Sequence, residues 1–219
     1  MKPEAITLFK EDVLALGRMV DRTVEEMLRM LRKEPSADLH FIESQEEKIN
    51  DAYQEIEEKC LDLLVEKETL PAKDIRTLFV STTIASKFER MADHANRVAR
   101  IGSWAREDNL DIPPELPEMA AVVHKMVQEA LLCFITDAEQ KAHEILHRDS
   151  EVDYLDDVLS KKLLSDLGSQ DSDSAQMRAQ FLFCARFLER MGDLTTSVAK
   201  RSYFIATGKR LKSEASGIV

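Results

Sequence analysis

The sequence predicts an all-α fold, organised as a tandem pair of three-helix bundles with six long helices and an internal duplication. Good helix formers dominate the composition, whereas the 219 residues include only six glycines and six prolines. Apolar residues make up 44% of the chain, which is enough for a hydrophobic core. Residues 85–99 recur as residues 185–199 with seven of fifteen positions identical, where unrelated sequences of this composition share about one. These observations predict both the helices and their repetition.

The first half of the chain divides into three helices, predicted at residues 3–33, 38–67 and 72–106. Apolar residues recur along the first helix at steps of three to five, from Leu8 to Leu31. Pro35 ends this helix because proline lacks an amide donor and restricts the residue before it. Pro71 separates the second helix from the third in the same way. At about 1.5 Å per residue, the third helix is about 50 Å long, a length typical of helical bundles.

The second half repeats this order after a break in the helical pattern at residues 109–114, which contain an asparagine and paired prolines. Its helices are predicted at residues 117–147, 150–167 and, after a loop at 168–174, up to Thr207. The second helices also match, because Glu46-x-x-Ile49-Asn50 aligns with Asp149-x-x-Val152-Asp153. We therefore predict two domains, residues 1–108 and 109–219.

Charge and cysteine content narrow the class of protein. The formal net charge of −11 argues against a nucleic-acid binder and suits a soluble protein that meets cations or basic protein surfaces. Cys60, Cys133 and Cys184 are scattered within apolar helical patterns, which predicts buried, reduced thiols. The N-terminal segment resembles no signal sequence, and no run approaches eighteen uncharged apolar residues. We expect a cytoplasmic protein that reaches a membrane only through a partner.

A repeated carboxylate motif, Glu-Arg-Met-x-Asp, is the main functional signal. It occurs at Glu89 and Asp93 and again at Glu189 and Asp193, and its four-residue spacing puts both acids on one side of a helix. Surface ion pairs with neighbouring arginines are one interpretation, but such pairs need no particular residue. The acids recur in both halves while several adjacent positions change. Paired oxygen ligands suit Mg²⁺, Ca²⁺, Mn²⁺ or oxygen-ligated iron, and zinc less naturally. The pattern favours a metal site.

Two three-helix units with this motif in each long third helix resemble the PhoU family of phosphate-signalling regulators, over nearly the whole chain. The resemblance implies a non-catalytic cytoplasmic adaptor. Such adaptors restrain a high-affinity phosphate ABC transporter and dampen a sensor histidine kinase. The expected partners are therefore the ATPase subunit of that transporter and the kinase, with no nucleic acid. We also expect a homodimer.

The resemblance also implies metal ligands, because the family's motifs are associated with iron or zinc clusters or with other divalent cations such as Mn²⁺ or Mg²⁺. The implied motif ligands are Glu89, Asp93, Glu189 and Asp193, with Glu46, Asp149 and Asp153 of the second helices as weaker candidates. The chain departs from the family where the motif often continues with Asn and Glu. It has Arg97 and Arg100 in one half and Ser197 and Lys200 in the other.

Three alternatives remain open on sequence alone. Residues 143–147 spell H-E-x-x-H, the zinc-protease pattern, but no histidine follows His147 as a third ligand. This segment is predicted to lie near a helix end, where cationic residues interact favourably with the helix dipole. A di-iron oxidase needs Glu-x-x-His pairs, and the offsets of Glu89 to His94 and of Glu139 to His143 do not match. A regulator of another ion transporter would carry the same sequence features.

Overall fold

The computed structural model describes residues 3–65, 70–136, 139–165 and 172–211, and within these ranges the regular secondary structure is α-helical without a strand. The helices are α1 (Pro3–Leu31), α2 (Leu39–Val65), α3 (Ala72–Glu107), α4 (Glu115–Thr136), α5 (Glu139–Ser165) and α6 (Ser172–Thr207). The predicted all-α fold and the order of six helices are confirmed.

The predicted boundary between the fourth and fifth helices is wrong. Instead of one helix over 117–147 and another over 150–167, α4 ends at Thr136 and α5 already begins at Glu139. No proline or glycine occurs between Pro117 and Gly168, so no backbone breaker marks the end of either helix in the sequence. The H-E-x-x-H segment consequently lies inside α5 and not at a helix end.

The other helix ends differ from prediction by at most three residues. α1 ends at Leu31 and not at Lys33, because Lys33 turns to a φ of 54° and the Glu34 amide donates to the Arg29 carbonyl over 3.1 Å. Asn109 ends α3 in the same manner, with a φ of 52°. α6 begins at Ser172, inside the predicted loop, whose residues 168–171 lie outside the described ranges, as do residues 66–67 of the predicted second helix.

Four helices form an inner layer that both repeats share. α1 and α3 of the first repeat pack against α4 and α6 of the second, while α2 covers α1 and α3, and α5 covers α4 and α6. Between α3 and α6, the rings of His94 and Phe187 stack at 5.5 Å, and the Thr195 hydroxyl donates to Met91 Sδ over 3.9 Å. The apolar contact between repeats is therefore part of the core.

The predicted apolar stripes form this core. Along α1 the buried side chains include Phe9, Val13, Leu16, Val20, Val24 and Met27. Leu8, with which the predicted stripe began, is 53% exposed, and its neighbour Phe9 is buried instead. The three cysteines are buried and form no disulfide, as the sequence predicted, and burial raises the pKa of the Cys184 thiol. Because both repeats contribute buried residues to one cluster, the core runs across the boundary between residues 108 and 109.

One described helix, α4, is long and apolar enough to cross a membrane by length and composition. Half of its apolar stretch is buried inside the fold, where α4 packs on α1, α5 and α6. A core helix has this composition for the same reason, since it needs an apolar surface on several sides. The packing of α4 accounts for its hydropathy.

Candidate functional site

An open cleft of about 470 Å³ lies between α2 and α3 and brings the first copy of the motif together with acids of α2. We call Glu43, Glu46, Glu47, Glu89 and Asp93 the first acidic cluster; all five line this cleft. Ala92 and Ile49 form its apolar part. The i,i+3 and i,i+4 spacing of the acids on each helix puts them on the sides that meet across the cleft.

Hydrogen bonds connect α2 to α3 beside this cleft. The Asn96 side-chain amide, which is buried, donates to Glu46 Oε2. Arg100 donates from Nε to Asn96 Oδ1 over 3.1 Å and forms an ion pair with Glu43 at 2.9 Å. These contacts fix two of the α2 carboxylates and place a cation among them.

A second cation reduces the negative charge at the motif itself. Arg97 pairs with Asp93 at 3.3 Å, one helical turn away. The pKa of Glu89 is raised, first by partial burial and then by the charges of Asp93 and Glu46, while Arg90 opposes the shift. The first acidic cluster is thus partly neutralised by its own arginines.

The second copy of the motif forms an equivalent cluster between α5 and α6. We call Asp149, Asp153, Asp156, Glu189 and Asp193 the second acidic cluster, since their charges act on one another. Asp149 and Asp153 correspond to Glu46 and Asn50 of the first repeat. Three aspartates with four- and three-residue spacing on α5 therefore meet the two motif acids of α6.

Asp149 is the most perturbed member of this cluster. Partial burial, followed by the charges of Asp153 and Asp193, raises the pKa of Asp149 to about 7, while Lys200 acts in the opposite direction. Gly192 of α6 lies beside it, and a Cβ at position 192 would stand 2.9 Å from Asp149 Oδ1. The glycine leaves the room that this carboxyl group occupies.

Arg186 is the cation that pairs with the second acidic cluster. It lies 3.5 Å from Asp156 and 3.4 Å from Glu189. Burial nevertheless raises the pKa values of Asp153, Asp156 and Glu189, because Arg186 only partly offsets burial and repulsion. Negative charge is less compensated in this cluster than in the first.

The donor chemistry of both clusters fits a hard cation, because every charged donor is a carboxylate and the charge is incompletely neutralised. The positions of these carboxylates fit a metal site less closely than their chemistry does. Within the described ranges, no three Asp, Glu, His or Cys side chains come together as a metal-binding group. A bound cation would have to draw the carboxylates of the paired helices inward, and in the first acidic cluster it would also compete with Arg97 and Arg100.

All seven residues predicted as metal ligands lie in one of the two clusters, Glu46 included. The sequence analysis missed Glu43, Glu47 and Asp156 as members, and Asn96 and Arg186 as their partners. The repeat alignment of α2 with α5 could have indicated Asp156, which follows Asp153 at i+3. The partners carried no signal, because their roles depend on how the helices pack.

His143 and His147 of the H-E-x-x-H segment are exposed on α5, away from the acidic clusters, and Glu144 between them is exposed as well. Within the described part of the chain, these histidines belong to no group of three potential metal ligands. A protease would need a third ligand and a substrate cleft at this segment.

Comparison with known proteins matches both halves of the chain to one family. The PhoU domain family matches residues 13–102 and 116–202. The phosphate-specific transport system accessory protein PhoU homolog of Clostridium acetobutylicum is 30% identical over 201 residues, which cover 91% of each chain. The homolog of Rhizobium meliloti is 26% identical over 216 residues, which cover 96% of this chain and 89% of that protein.

Solved structures share the fold described above. The crystal structure of PhoU from Pseudomonas aeruginosa matches with a TM-score of 0.88 at 23% identity, covering 95% of this chain and 100% of that one. The phosphate transport system regulatory protein PhoU from Streptococcus pneumoniae matches with a TM-score of 0.83 at 24% identity, covering 95% and 98%. Because the family matches both repeats and one relative is 30% identical over nine-tenths of each chain, this protein belongs to the PhoU family.

Proposed function

We propose that this protein is a non-catalytic regulator of phosphate transport, which acts as a cytoplasmic adaptor on membrane-bound partners. The observation that carries the proposal is the match of both repeats to the PhoU domain family, whose curated relatives are named phosphate-specific transport system accessory proteins. The chain covers 91% of the length of the Clostridium relative, so it holds both repeats that such a protein uses.

The acidic clusters are the proposed working surface. They lie between α2 and α3 and between α5 and α6, where the covering helices meet the inner layer, and not between the two repeats. Partners could therefore bind there without opening the core. Partly exposed carboxylates attract basic protein surfaces, and such attraction accelerates association and weakens with salt. The proposed partners are the ATPase subunit of a phosphate ABC transporter and a sensor histidine kinase.

Both clusters are also proposed to bind divalent or iron-type metal ions, with Mn²⁺, Mg²⁺, Zn²⁺ and iron as candidates. Glu46, Glu89 and Asp93 would bind the metal in the first acidic cluster. Asp149, Asp153, Glu189 and Asp193 would do so in the second. A bound cation would neutralise the crowded carboxylates and link the two helices of each pair. The second acidic cluster is the stronger candidate, because burial and then the repulsion of neighbouring acids raise its pKa values, and a bound cation would relieve that repulsion.

The test is charge reversal at the motif glutamates in a strain that lacks its own copy of this gene. Glu89→Lys with Glu189→Lys should relieve repression of a phosphate-starvation promoter in high phosphate, and phosphate uptake should rise. The matched control is Glu55→Lys with Glu151→Lys, which makes the same charge change at exposed positions of α2 and α5. Circular dichroism verifies the fold of each variant, and light scattering measures whether the protein is a homodimer.

Two outcomes would contradict the proposal in different ways. Full repression by a folded double variant would remove the acidic clusters from the working surface while leaving the regulatory role intact. If deletion of the gene leaves phosphate uptake unchanged but alters the uptake of another ion, the regulator of a different transporter becomes the better assignment.

A further inference from the structure

A groove of about 300 Å³ lies between the start of α3 and the end of α6; none of its lining residues belongs to either acidic cluster, although the charge of Lys200 also acts on Asp149 of the second. Aromatic and aliphatic side chains form its apolar walls, and three cations lie around them. The residues used below are Phe79, Val80, Phe204, Lys200, Arg201 and Arg210. Phe79 is 70% exposed, which leaves a large aromatic surface open to solvent at this groove.

A capped turn after α6 completes the groove. The Gly208 amide donates to the Phe204 carbonyl over 3.0 Å, and Gly208 has a φ of +71°. The Lys209 amide donates to the Thr207 hydroxyl over 3.0 Å. The positive φ favours glycine here, and a Cβ at position 208 would also stand 2.7 Å from Arg76 Nη1 and displace the end of that side chain. This turn brings Arg210 to the rim of the groove.

Arg76 fixes Phe204, one of the two aromatic residues of the groove. The Arg76 guanidinium lies 5.6 Å from the centre of the Phe204 ring and donates to the Ile205 carbonyl over 3.5 Å. Arg76, which is not one of the residues that line the groove, thereby holds the Phe204 ring. Its other side and the exposed Phe79 ring are available to a ligand, so the aromatic walls exist before anything binds.

The groove is positively charged in a chain with a net charge of −11. Among the described residues, Lys200, Arg201 and Arg210 take part in no ion pair within 4 Å. Arg201 also contributes to the lowered pKa of neighbouring Lys87, although burial is the larger cause. The cations around this groove repel one another, and an anion would relieve that repulsion.

Comparison of the two repeats indicates that this charge is not required by the fold. One hundred residues earlier, Ile101 stands at the position of Arg201, and Leu110 at that of Arg210. Two of the three basic positions are therefore apolar in the first copy, whereas Lys200 corresponds to the basic Arg100. The basic character of the second copy calls for another explanation.

We propose that this groove binds a nucleoside polyphosphate. The base would stack on the rings of Phe79 and Phe204, while Lys200, Arg201 and Arg210 would contact the phosphates. A volume of about 300 Å³ is at the small end of ligand pockets, which suits a mononucleotide better than a protein segment. The inference stands apart from the proposed regulatory function, since it uses neither acidic cluster.

Isothermal titration of the full chain with ATP tests the proposal. EDTA in the buffer prevents a metal at the acidic clusters from recruiting the nucleotide. We expect one ATP per chain, with affinity that falls as salt rises. Arg201→Glu with Arg210→Glu should lower the affinity for ATP by about tenfold or more, because the two side chains would then repel the phosphates that they attract in the wild type. Lys48→Glu, an exposed charge reversal on α2, should leave the affinity unchanged.

Phe79→Ala separates base recognition from simple anion binding. This variant should lower the affinity for ATP by about fivefold and leave the affinity for tripolyphosphate unchanged, because only ATP has a base to stack. Adenosine alone should bind far more weakly than ATP. Thermal melts verify that each variant is folded, and the exposure of Phe79 makes this variant safe for the fold.

Several results would overturn the proposal. One is the absence of ATP binding at millimolar concentration, and another is a double charge reversal that leaves ATP affinity unchanged in a folded protein. Equal loss of ATP and tripolyphosphate on Phe79→Ala would exclude stacking. Binding to vesicles of phosphatidylglycerol but not to ATP would assign the groove to anionic lipid instead.

Discussion

Gly192 of α6 lies so close to Asp149 of α5 that a Cβ at position 192 would stand 2.9 Å from Asp149 Oδ1. The repeat-related residue is Ala92, which lines the first cleft, so a Cβ is accepted in one copy and missing in the other. A glycine within a helix costs about 1 kcal/mol relative to alanine. In return, the missing Cβ of Gly192 leaves space for the Asp149 carboxyl group.

Gly192→Ala should therefore displace Asp149 without unfolding the protein. The gain in helix propensity, about 1 kcal/mol, offsets the crowding, so we expect the free energy of unfolding to change by no more than about 1 kcal/mol. Mn²⁺ binding to the second acidic cluster should weaken by about tenfold, because one donor has moved. Calorimetric titration and a denaturation curve measure the two effects.

Ala92→Gly is the matched control. It should cost about 1 kcal/mol in the first repeat and leave Mn²⁺ binding to the second cluster unchanged. If Gly192→Ala binds Mn²⁺ as tightly as the wild type, the space beside Asp149 has no role in metal binding.

The pKa of Asp149 predicts how stability depends on pH. This pKa is raised from 3.8 in the unfolded chain to about 7 in the folded protein, so the folded state holds the proton more tightly. The stabilisation from this proton is greatest below pH 4 and is lost as the pH rises from about 4 to 7. Without metal, the free energy of unfolding should thus be greater at pH 5.5 than at pH 8. Since Asp149 is only half-buried, solvent screening reduces its contribution to about 1 kcal/mol.

Asp149→Asn should remove most of this difference, because the amide cannot ionise. Asp51→Asn, at an exposed position of α2, should leave it unchanged. Urea curves at pH 5.5 and pH 8 with EDTA measure the effect. Adding Mn²⁺ should reverse the trend, because a metal binds the deprotonated carboxylates and stabilises the protein more at pH 8. A wild-type protein that is equally stable at both pH values would argue against a shifted Asp149.

The motif acids themselves should determine metal content. Asp93→Ala with Asp193→Ala is expected to lower the metal that copurifies with the protein and to weaken titration with Mn²⁺, Zn²⁺ or iron. Of the single variants, Asp193→Ala should have the larger effect, because Arg97 already pairs with Asp93 at 3.3 Å. Elemental analysis gives the metal content. If it is unchanged in the double variant, the motif is an ion-pairing surface and not a metal site.

The sequence predicted most of this site because the signal was repeated. Glu89 and Glu189 lie at the same register of α3 and α6, and the duplication distinguishes them from ordinary surface acids. The sequence could not predict how much of the negative charge in each acidic cluster is neutralised by nearby cations. Asn96 and Arg100 act on α2 only because α2 packs on α3, and this contact lies about fifty residues away in the chain. The difference between the two clusters is a product of tertiary structure.

The helix boundaries were predictable only where the backbone chemistry marks them. Pro35 and Pro71 located the ends of the first two helices within a few residues, whereas the change from α4 to α5 has no proline or glycine and was misplaced. The apolar stripes also could not tell which helices meet across the repeat. Helical periodicity identifies a buried side but does not name its partner.

The shared inner layer leads to a last prediction, about whether the repeats fold separately. The linker suggested independent domains, but α1 and α3 bury apolar surface against α4 and α6. Residues 1–108 alone are therefore expected to be helical but to self-associate, and to melt less cooperatively than the full chain. Gly17→Ala tests the interface directly. In the full chain its Cβ would stand 2.3 Å from Leu131 Cδ2, so overpacking should destabilise the protein by about 1 kcal/mol. The fragment lacks Leu131 but keeps Phe88, whose Cε2 would stand 3.1 Å from this Cβ, so Gly17→Ala should destabilise the fragment less than the full chain. Equal destabilisation of both proteins, or a monomeric fragment with a sharp melt, would show that the repeats are independent folding units.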